Sequence, residues 1–364
     1  MQKTWGESLV KRAGVWAAGV AAFVCVLVSP AMATTGADLR PTLKAKGTLS
    51  ASGNPIASRR KARVNAERPS LGQKQGLRAT EDSLELKSSA ALVIDQDTDE
   101  VLFSKNAEAV LPIASITKLM TAIVVVDAAQ PMDETLKVSK VSLDTPKNNR
   151  SRLQVGASLT RGELMHLALM ASENRAAYSI GAAYPGGLPA LVEAMNRKAV
   201  ELGMHDSHFV EPTGLSADNR SSAQDLALLV KAAYQHPVLR EYSTAQDASV
   251  AVGRRTVQFR STNSLVRSPM WEIGLQKTGY ISEAGRCLVM QANMAGRKLI
   301  MVLLDSAGRY SRVGDAERIR RWLDTMPAAA QATTTTVAAP VTVEPSPAVT
   351  EGERDLGRSG SDTF

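Results

Sequence analysis

Pro112-Ile113-Ala114-Ser115-Ile116-Thr117-Lys118-Leu119-Met120-Thr121-Ala122-Ile123 carries two signals in one stretch. Ile116, Leu119, Met120 and Ile123 fall at helical spacing, with Pro131 past the end, and Pro112 and Ala114 suit a chain entering a helix. A helix opening at Ser115 puts Lys118 one turn on, on the same face and within reach of the serine oxygen. A serine hydroxyl is a poor nucleophile at neutral pH unless a base takes its proton as it attacks. Lysine can be that base only when burial or a nearby cation lowers its pKa. Further along stand Ser172-Glu173-Asn174 and Lys277-Thr278-Gly279, and Lys277 offers the second cation.

Singly, these motifs are weak. Average residue usage yields SxxK and SxN each about once by chance in a chain of this length, and KTG in roughly one chain in ten. Ser8/Lys11 and Ser58/Lys61 also match SxxK, and Ser52-Gly53-Asn54 and Ser261-Thr262-Asn263 also match SxN. These competitors lie in a targeting segment, in a polar linker or out of order, whereas KTG occurs once.

The other two motifs complete a cleft. Ser172 and Asn174 sit where one helix stops and the next begins, so short polar side chains point from a loop. Ser172 can relay a proton toward a leaving amine, and Asn174 can hold both Lys118 and a substrate amide. Glu173 is expected to face solvent. Lys277 to Gly279 fall on a predicted strand forming the far wall. There Lys277 supplies a cation, Thr278 a hydroxyl for a carboxylate or carbonyl, and Gly279 room for close backbone approach. The backbone N–H groups of Ser115 and Tyr280 can form an oxyanion hole. No Ser-His-Asp arrangement or GxSxG elbow competes.

Both ends of the 364-residue chain look unfit for a core. Lys3, Lys11 and Arg12, the apolar run Ala13 to Val28 and the small-x-small Ala31-Met32-Ala33 read as a signal peptide over 1–33. An uncleaved anchor is the alternative, although the run is marginally short for a bilayer. Residues 34–85 read as a basic flexible linker and 327–364 as a disordered Ala/Thr/Pro-rich tail, which leaves one domain over 86–326. The tail shows no amphipathic helix with a basic face.

The formal charge of +7 is partly local, with Arg59, Arg60, Lys61, Arg63, Arg68, Lys74 and Arg78 set against Glu67. A solvated linker is the favoured reading, and weak attraction to anionic wall polymers or lipid headgroups the other. Nucleic acid is not an expected partner of an exported chain. Cys25 leaves with the signal, so Cys287 remains without an intramolecular disulfide partner, and its apolar stretch makes it an inert strand residue. His166, His205, His208 and His236 show no metal-ligand spacing, and no cofactor is implied.

Ala90 to Ile94 and Val101 to Phe103 flank the polar loop Asp95 to Glu100, forming a hairpin. Thr160 and Glu163 form a capping box opening a helix that ends near Met170. Helices are expected over 190–202 and 223–235, closed by Gly203 and Pro237. Ile273 to Tyr280 reads as a strand, Arg286–Ala292 and Lys298–Leu304 as a second hairpin, and 315–323 as a last helix. Strands at both ends with helices between them predict an α/β (α+β) fold in which one antiparallel sheet, flanked by helices, carries an inserted helical subdomain.

With these residues placed, residues 86 to 325 resemble the low-molecular-mass penicillin-binding proteins, the serine D-alanyl-D-alanine peptidases, and among them the endopeptidase subgroup. The likeness extends to Leu167-Ala168-Leu169-Met170-Ala171-Ser172-Glu173-Asn174-Arg175, Phe209-Val210-Glu211-Pro212-Thr213-Gly214-Leu215 and Glu283-Ala284-Gly285-Arg286-Cys287. It implies a β-lactamase/transpeptidase-like fold, an acyl-enzyme at Ser115, Lys118 as base, Ser172 and Asn174 in proton relay and substrate positioning, and Lys277 in substrate binding. It further implies a periplasmic hydrolase of D-alanyl-meso-diaminopimelate cross-links in peptidoglycan, acylated by β-lactams. Glu173 departs from the commoner small residue, and the carboxypeptidases' C-terminal β domain with its membrane-anchoring helix is not found.

The motifs do not divide endopeptidase from D,D-carboxypeptidase, because nucleophile, base and leaving-group chemistry are shared. A β-lactamase needs a carboxylate-activated water for fast deacylation, and no convincing loop for one is seen. A non-catalytic wall- or β-lactam-binding module is argued against by three intact motifs.

Overall fold

Asp95 closes the first hairpin. Its carboxylate accepts from the N–H groups of Asp97 and Thr98, both at 2.9 Å, so β1 (Ala90–Asp95) folds back onto β2 (Val101–Lys105). The computed structural model describes residues 69–140 and 151–326. The expected signal peptide, the first part of the linker and the tail lie outside them. No helix among the described residues is long and apolar enough to cross a membrane.

After β2 the chain leaves the sheet. It passes through β3 (Leu111–Pro112), α2 (Thr117–Asp127), β4 (Thr135–Lys137), β5 (Ser158–Thr160), α3 (Arg161–Met170), α4 (Asn174–Ala182), α5 (Gly187–Glu201), β6 (Arg220–Ser221), α6 (Ala223–Tyr234) and α7 (Pro237–Thr244). A hairpin of β7 (Asp247–Val252) and β8 (Arg255–Arg260) leads to β9 (Glu272–Ile281), β10 (Gly285–Met294), β11 (Arg297–Ser306) and α8 (Ser311–Asp324). The main sheet has the order β2-β1-β11-β10-β9 and is antiparallel throughout, with Ala90 opposite Leu304 and Ile94 opposite Ile300. The predicted sheet from distant segments with helices inserted is therefore the observed one.

All six residues of β1 are buried, because both faces of the sheet are covered. Leu92, Ile94, Val289, Ile300 and Val302 pack beneath the helical subdomain, while Ala91, Val93, Leu288, Met301 and Leu303 pack beneath Ile319 and Leu323 of α8. Each fully buried Leu, Ile or Val contributes about 1.5–3 kcal/mol, so this alternation fixes the strand register.

The Thr160 capping box forms as read. Thr160 Oγ1 accepts from Glu163 N at 3.1 Å, and Glu163 Oε2 accepts from Thr160 N at 2.8 Å. Pro237 ends the pattern of α6, but it also opens α7 at its first turn, where a missing N–H costs nothing.

The linker boundary needs correction. Residues 69–85, assigned to the linker, belong to the folded domain. Ser70 and Gln73 make a capping box on α1 (Leu71–Lys74), Leu71 N donates to Glu283 O at 2.9 Å, Arg78 pairs with Asp305, and Asp82 accepts from Lys105 Nζ at 2.8 Å. Arg78, counted in the basic linker, is thus held by a buried carboxylate.

Candidate active site

Ala114 turns the chain into the site. Its φ of 48° is left-handed, a conformation that costs a non-glycine residue of order 1 kcal/mol. Ala114 opens a 3₁₀ turn over Ala114–Ile116 that runs into α2, so Ser115 stands two residues before the first residue of that helix. Lys118, one turn on, is almost completely buried. Its Nζ lies 2.8 Å from Ser115 Oγ, 2.8 Å from Asn174 Oδ1 and 2.5 Å from the Thr213 carbonyl. Three oxygens therefore take up the donors of an ammonium. A neutral amine keeps the Ser115 contact with the proton reversed.

Burial lowers the Lys118 pKa to about 7, against the opposing pull of Glu211 and then Glu173. Of the two causes the sequence left open, burial or a nearby cation, burial is the one that lowers it, and Lys277 is not among the causes. Lys277, fully buried on β9, is itself pushed well below the ordinary lysine range by burial, then by the Lys118 charge and by Arg312. Its Nζ donates to Ser172 Oγ at 2.8 Å and to the Thr278 carbonyl at 2.9 Å.

Ser172 follows the C-cap of α3 with a φ of 59°, a second left-handed non-glycine residue at the site. Asn174 is the first residue of α4. The residue between them is not where the sequence put it. Glu173 is buried, accepting from Ser151 Oγ at 2.6 Å and from Arg152 N at 3.3 Å, and so ties the loop after residue 150 to the site.

Ser115, Ser172, Asn174, Thr278, Gly279 and Tyr280 line one cleft of about 200 Å3, and the two lysines lie beneath it. Gly279 and Gly214 both lie against the backbone at Ser115. A Cβ on Gly279 would stand 3.2 Å from Ser115 N and 2.9 Å from Ile113 O, and one on Gly214 1.9 Å from Ala114 O. Close approach here requires glycine.

The sequence reading did not single out the groups around Lys118. Glu211 is buried, and its carboxylate accepts from Thr213 N, Thr213 Oγ1, Gly214 N and Asn219 Nδ2 at 2.6–2.7 Å. This folds residues 211–214 so that the Thr213 carbonyl faces Lys118. Leu215, Thr262, Arg286 and Arg312 also line the cleft. Arg312 of α8 donates to the Gly279 carbonyl at 3.2 Å, and burial, then the Arg286 charge, lowers its pKa. Thr262 belongs to a set-aside SxN match, but Ser261 and Asn263 serve a turn, each accepting from a backbone N–H two residues on. Only Thr262 reaches the site, its hydroxyl 2.6 Å from that of Thr278.

Cys287 is buried on β10 opposite Gly279, and burial pushes its thiol up to about 12, consistent with an inert role.

A model of the D-alanyl-D-alanine carboxypeptidase family, peptidase family S11, matches residues 77–308. The chain belongs to that family. It is 47% identical over 255 residues to the D-alanyl-D-alanine endopeptidase of Pseudomonas aeruginosa, covering 68% of this chain and 82% of that one. It is 42% identical over 259 residues to the D-alanyl-D-alanine endopeptidase of Escherichia coli, covering 71% and 84%. Among solved structures it resembles penicillin-binding protein D2 of Listeria monocytogenes in its cefotaxime-bound form, with a TM-score of 0.59, 28% identity, and 67% and 100% of the two chains covered. In this S11 member the three sequence motifs converge on one cleft.

Proposed function

We propose that this family member is a serine D,D-endopeptidase that hydrolyses D-alanyl-meso-diaminopimelate cross-links of peptidoglycan in the periplasm and is acylated by β-lactams. The observation that carries the reading is the buried Lys118 amine 2.8 Å from Ser115 Oγ. With its pKa near 7, a neutral Lys118 takes the Ser115 proton as Oγ attacks the D-alanyl carbonyl. The oxyanion forms between the Ser115 and Tyr280 N–H groups. Collapse breaks the amide, and Ser172, held by Lys277, passes a proton to the departing diaminopimelate nitrogen. The proton that Lys118 took from Ser115 replaces the one Ser172 gives up, which returns Lys118 to the neutral amine. Water then attacks the acyl-enzyme and gives a proton to Lys118, which passes it to the departing Ser115 Oγ, so the D-alanyl carboxylate leaves and the serine hydroxyl and neutral amine are restored.

Asn174 holds the substrate amide, Thr278 and Gly279 its carboxylate side. An anionic substrate favours protonated Lys277, so binding returns charge to that amine. The names of the two relatives favour the endopeptidase. The family description keeps carboxypeptidase as the second reading, because a free terminal D-alanine presents the same bond. Export rests on residues 1–33, and weak wall association on the basic residues 59–68, both outside the described region.

Digestion of purified muropeptides by the mature protein separates the readings. Loss of cross-linked dimers to monomers, blocked by penicillin, is the expected result. Loss of only the terminal alanine from pentapeptides makes the chain a carboxypeptidase, and stable labelling without turnover makes it a binding module.

A further inference from the structure

The catalytic cleft does not end at Tyr280. A second pocket of about 110 Å3 adjoins it, and Tyr280 and Arg286 line both. The second pocket is polar, with the hydroxyls of Ser70 and Ser282 and the Arg78–Asp305 pair in its wall. Its charges are unequally matched. Asp305 is buried and already occupied by Arg78 at 3.2 Å and by Ser89 Oγ at 2.6 Å. Arg286, half-buried between the pockets, makes no ion pair or side-chain hydrogen bond among the described residues. Its guanidinium lies 4.3 Å from the centre of the Tyr280 ring, which fixes its plane without using its N–H donors. Arg312 stands in the same cleft and adds a like charge.

A planar five-donor fork, oriented, partly desolvated and unpaired, is suited to a carboxylate. Peptidoglycan stem peptides carry free carboxylates along their length. We infer that Arg286 and the pocket beyond Tyr280 form a subsite for a stem-peptide carboxylate other than the one at the scissile bond, so that the enzyme selects an extended anionic peptide over a bare D-alanyl terminus. The inference rests on the peptidase reading above. The carboxylate has two sources, the acyl-donor stem, which monomers and dimers share, and the acceptor stem, which only dimers have.

The test compares synthetic stem peptides, as cross-linked dimers and as monomeric pentapeptides, with their internal carboxylates free or amidated. The full mature protein is used as wild type, Arg286→Gln and Arg286→Lys. Complete labelling by a fluorescent penicillin serves as the check that each variant is folded. Wild type is expected to favour the free acids by about tenfold in kcat/KM, through KM, as loss of a charge-assisted hydrogen bond implies. Arg286→Gln should level that preference and Arg286→Lys should keep part of it.

A preference seen with monomers and dimers alike assigns the donor stem, and one confined to dimers assigns the acceptor stem. A wild type indifferent to amidation, or an Arg286→Gln enzyme that keeps the full preference, overturns the subsite. Should the wild type trim pentapeptides but leave dimers whole, the endopeptidase reading fails on its own, and the subsite is decided by the monomer comparison.

Discussion

Lys105 and Lys118 are both buried lysines in one domain, and they differ in what their amines touch. Lys105 Nζ meets the Asp82 carboxylate at 2.8 Å, and that carboxylate also caps the N–H groups of Leu84 and Leu86. Lys118 touches a hydroxyl, an amide oxygen and a peptide carbonyl, with no carboxylate in contact. A buried amine facing a carboxylate is locked as an ion pair that ties residues 69–85 to the sheet edge. One facing neutral oxygens can lose its proton without stranding a negative charge, so its burial becomes a source of basicity. The partner, more than the depth, separates a lysine that staples from one able to act as a base.

The largest test of this contrast removes the proposed nucleophile. Ser115→Ala should abolish covalent labelling by penicillin with the fold intact, and labelling that persists would move the nucleophile elsewhere. Next, Lys118→Ala should slow acylation by several orders of magnitude, as loss of an activating base does; near-normal acylation would deny Lys118 that role. Lys105→Ala should reverse the pattern. It leaves Asp82 without its cation and is expected to cost about 3 kcal/mol in urea unfolding, while the folded fraction still acylates. If Lys105→Ala instead stops acylation in stably folded protein, the staple and base are not separable.

A smaller effect concerns pH. Acylation requires neutral Lys118, so its rate should rise through about pH 7 and level off above it. Glu211 favours the protonated amine, so Glu211→Gln should move that limb to lower pH while loosening the turn that presents the Thr213 carbonyl. Acylation rates between pH 5.5 and 9 decide it, and an unmoved limb would mean that the charge is not felt at Lys118. The smallest change is Thr160→Ala, which removes a helix cap remote from the chemistry and should cost about 1 kcal/mol with acylation unaltered. It sets the background against which the others are read.

The same division between local and distant partners explains what the sequence revealed. The Thr160 cap, the Asp95 hairpin and the Ser115/Lys118 pair are codes confined to a few residues, so spacing alone exposed them. The turn between β10 and β11 was bracketed as 293–297, yet the strands run on to Met294 and restart at Arg297, because Ala295 and Gly296 both take positive φ in a two-residue turn. Residues 69–85 read as linker because their polar composition conceals partners more than 200 residues away, such as Asp305 for Arg78. Glu173 read as solvent-facing because its acceptors' partners, Ser151 and Arg152, lie in a loop with no periodic signal. Glu211 stood inside a stretch shared with the family but with no role assigned, and only folding shows that it shapes the turn against Lys118.

Gly214 and Gly279 both lie against the backbone of Ala114 and Ser115 with no room for a methyl group. If β-lactams do acylate this serine, drug pressure finds little purchase there, since added bulk would displace the enzyme's own nucleophile before it hindered the antibiotic. Heritable escape must then come from positions whose side chains already face the opening, such as Leu215, Thr262 or Arg286, where a change can alter access and leave the reacting atoms in place.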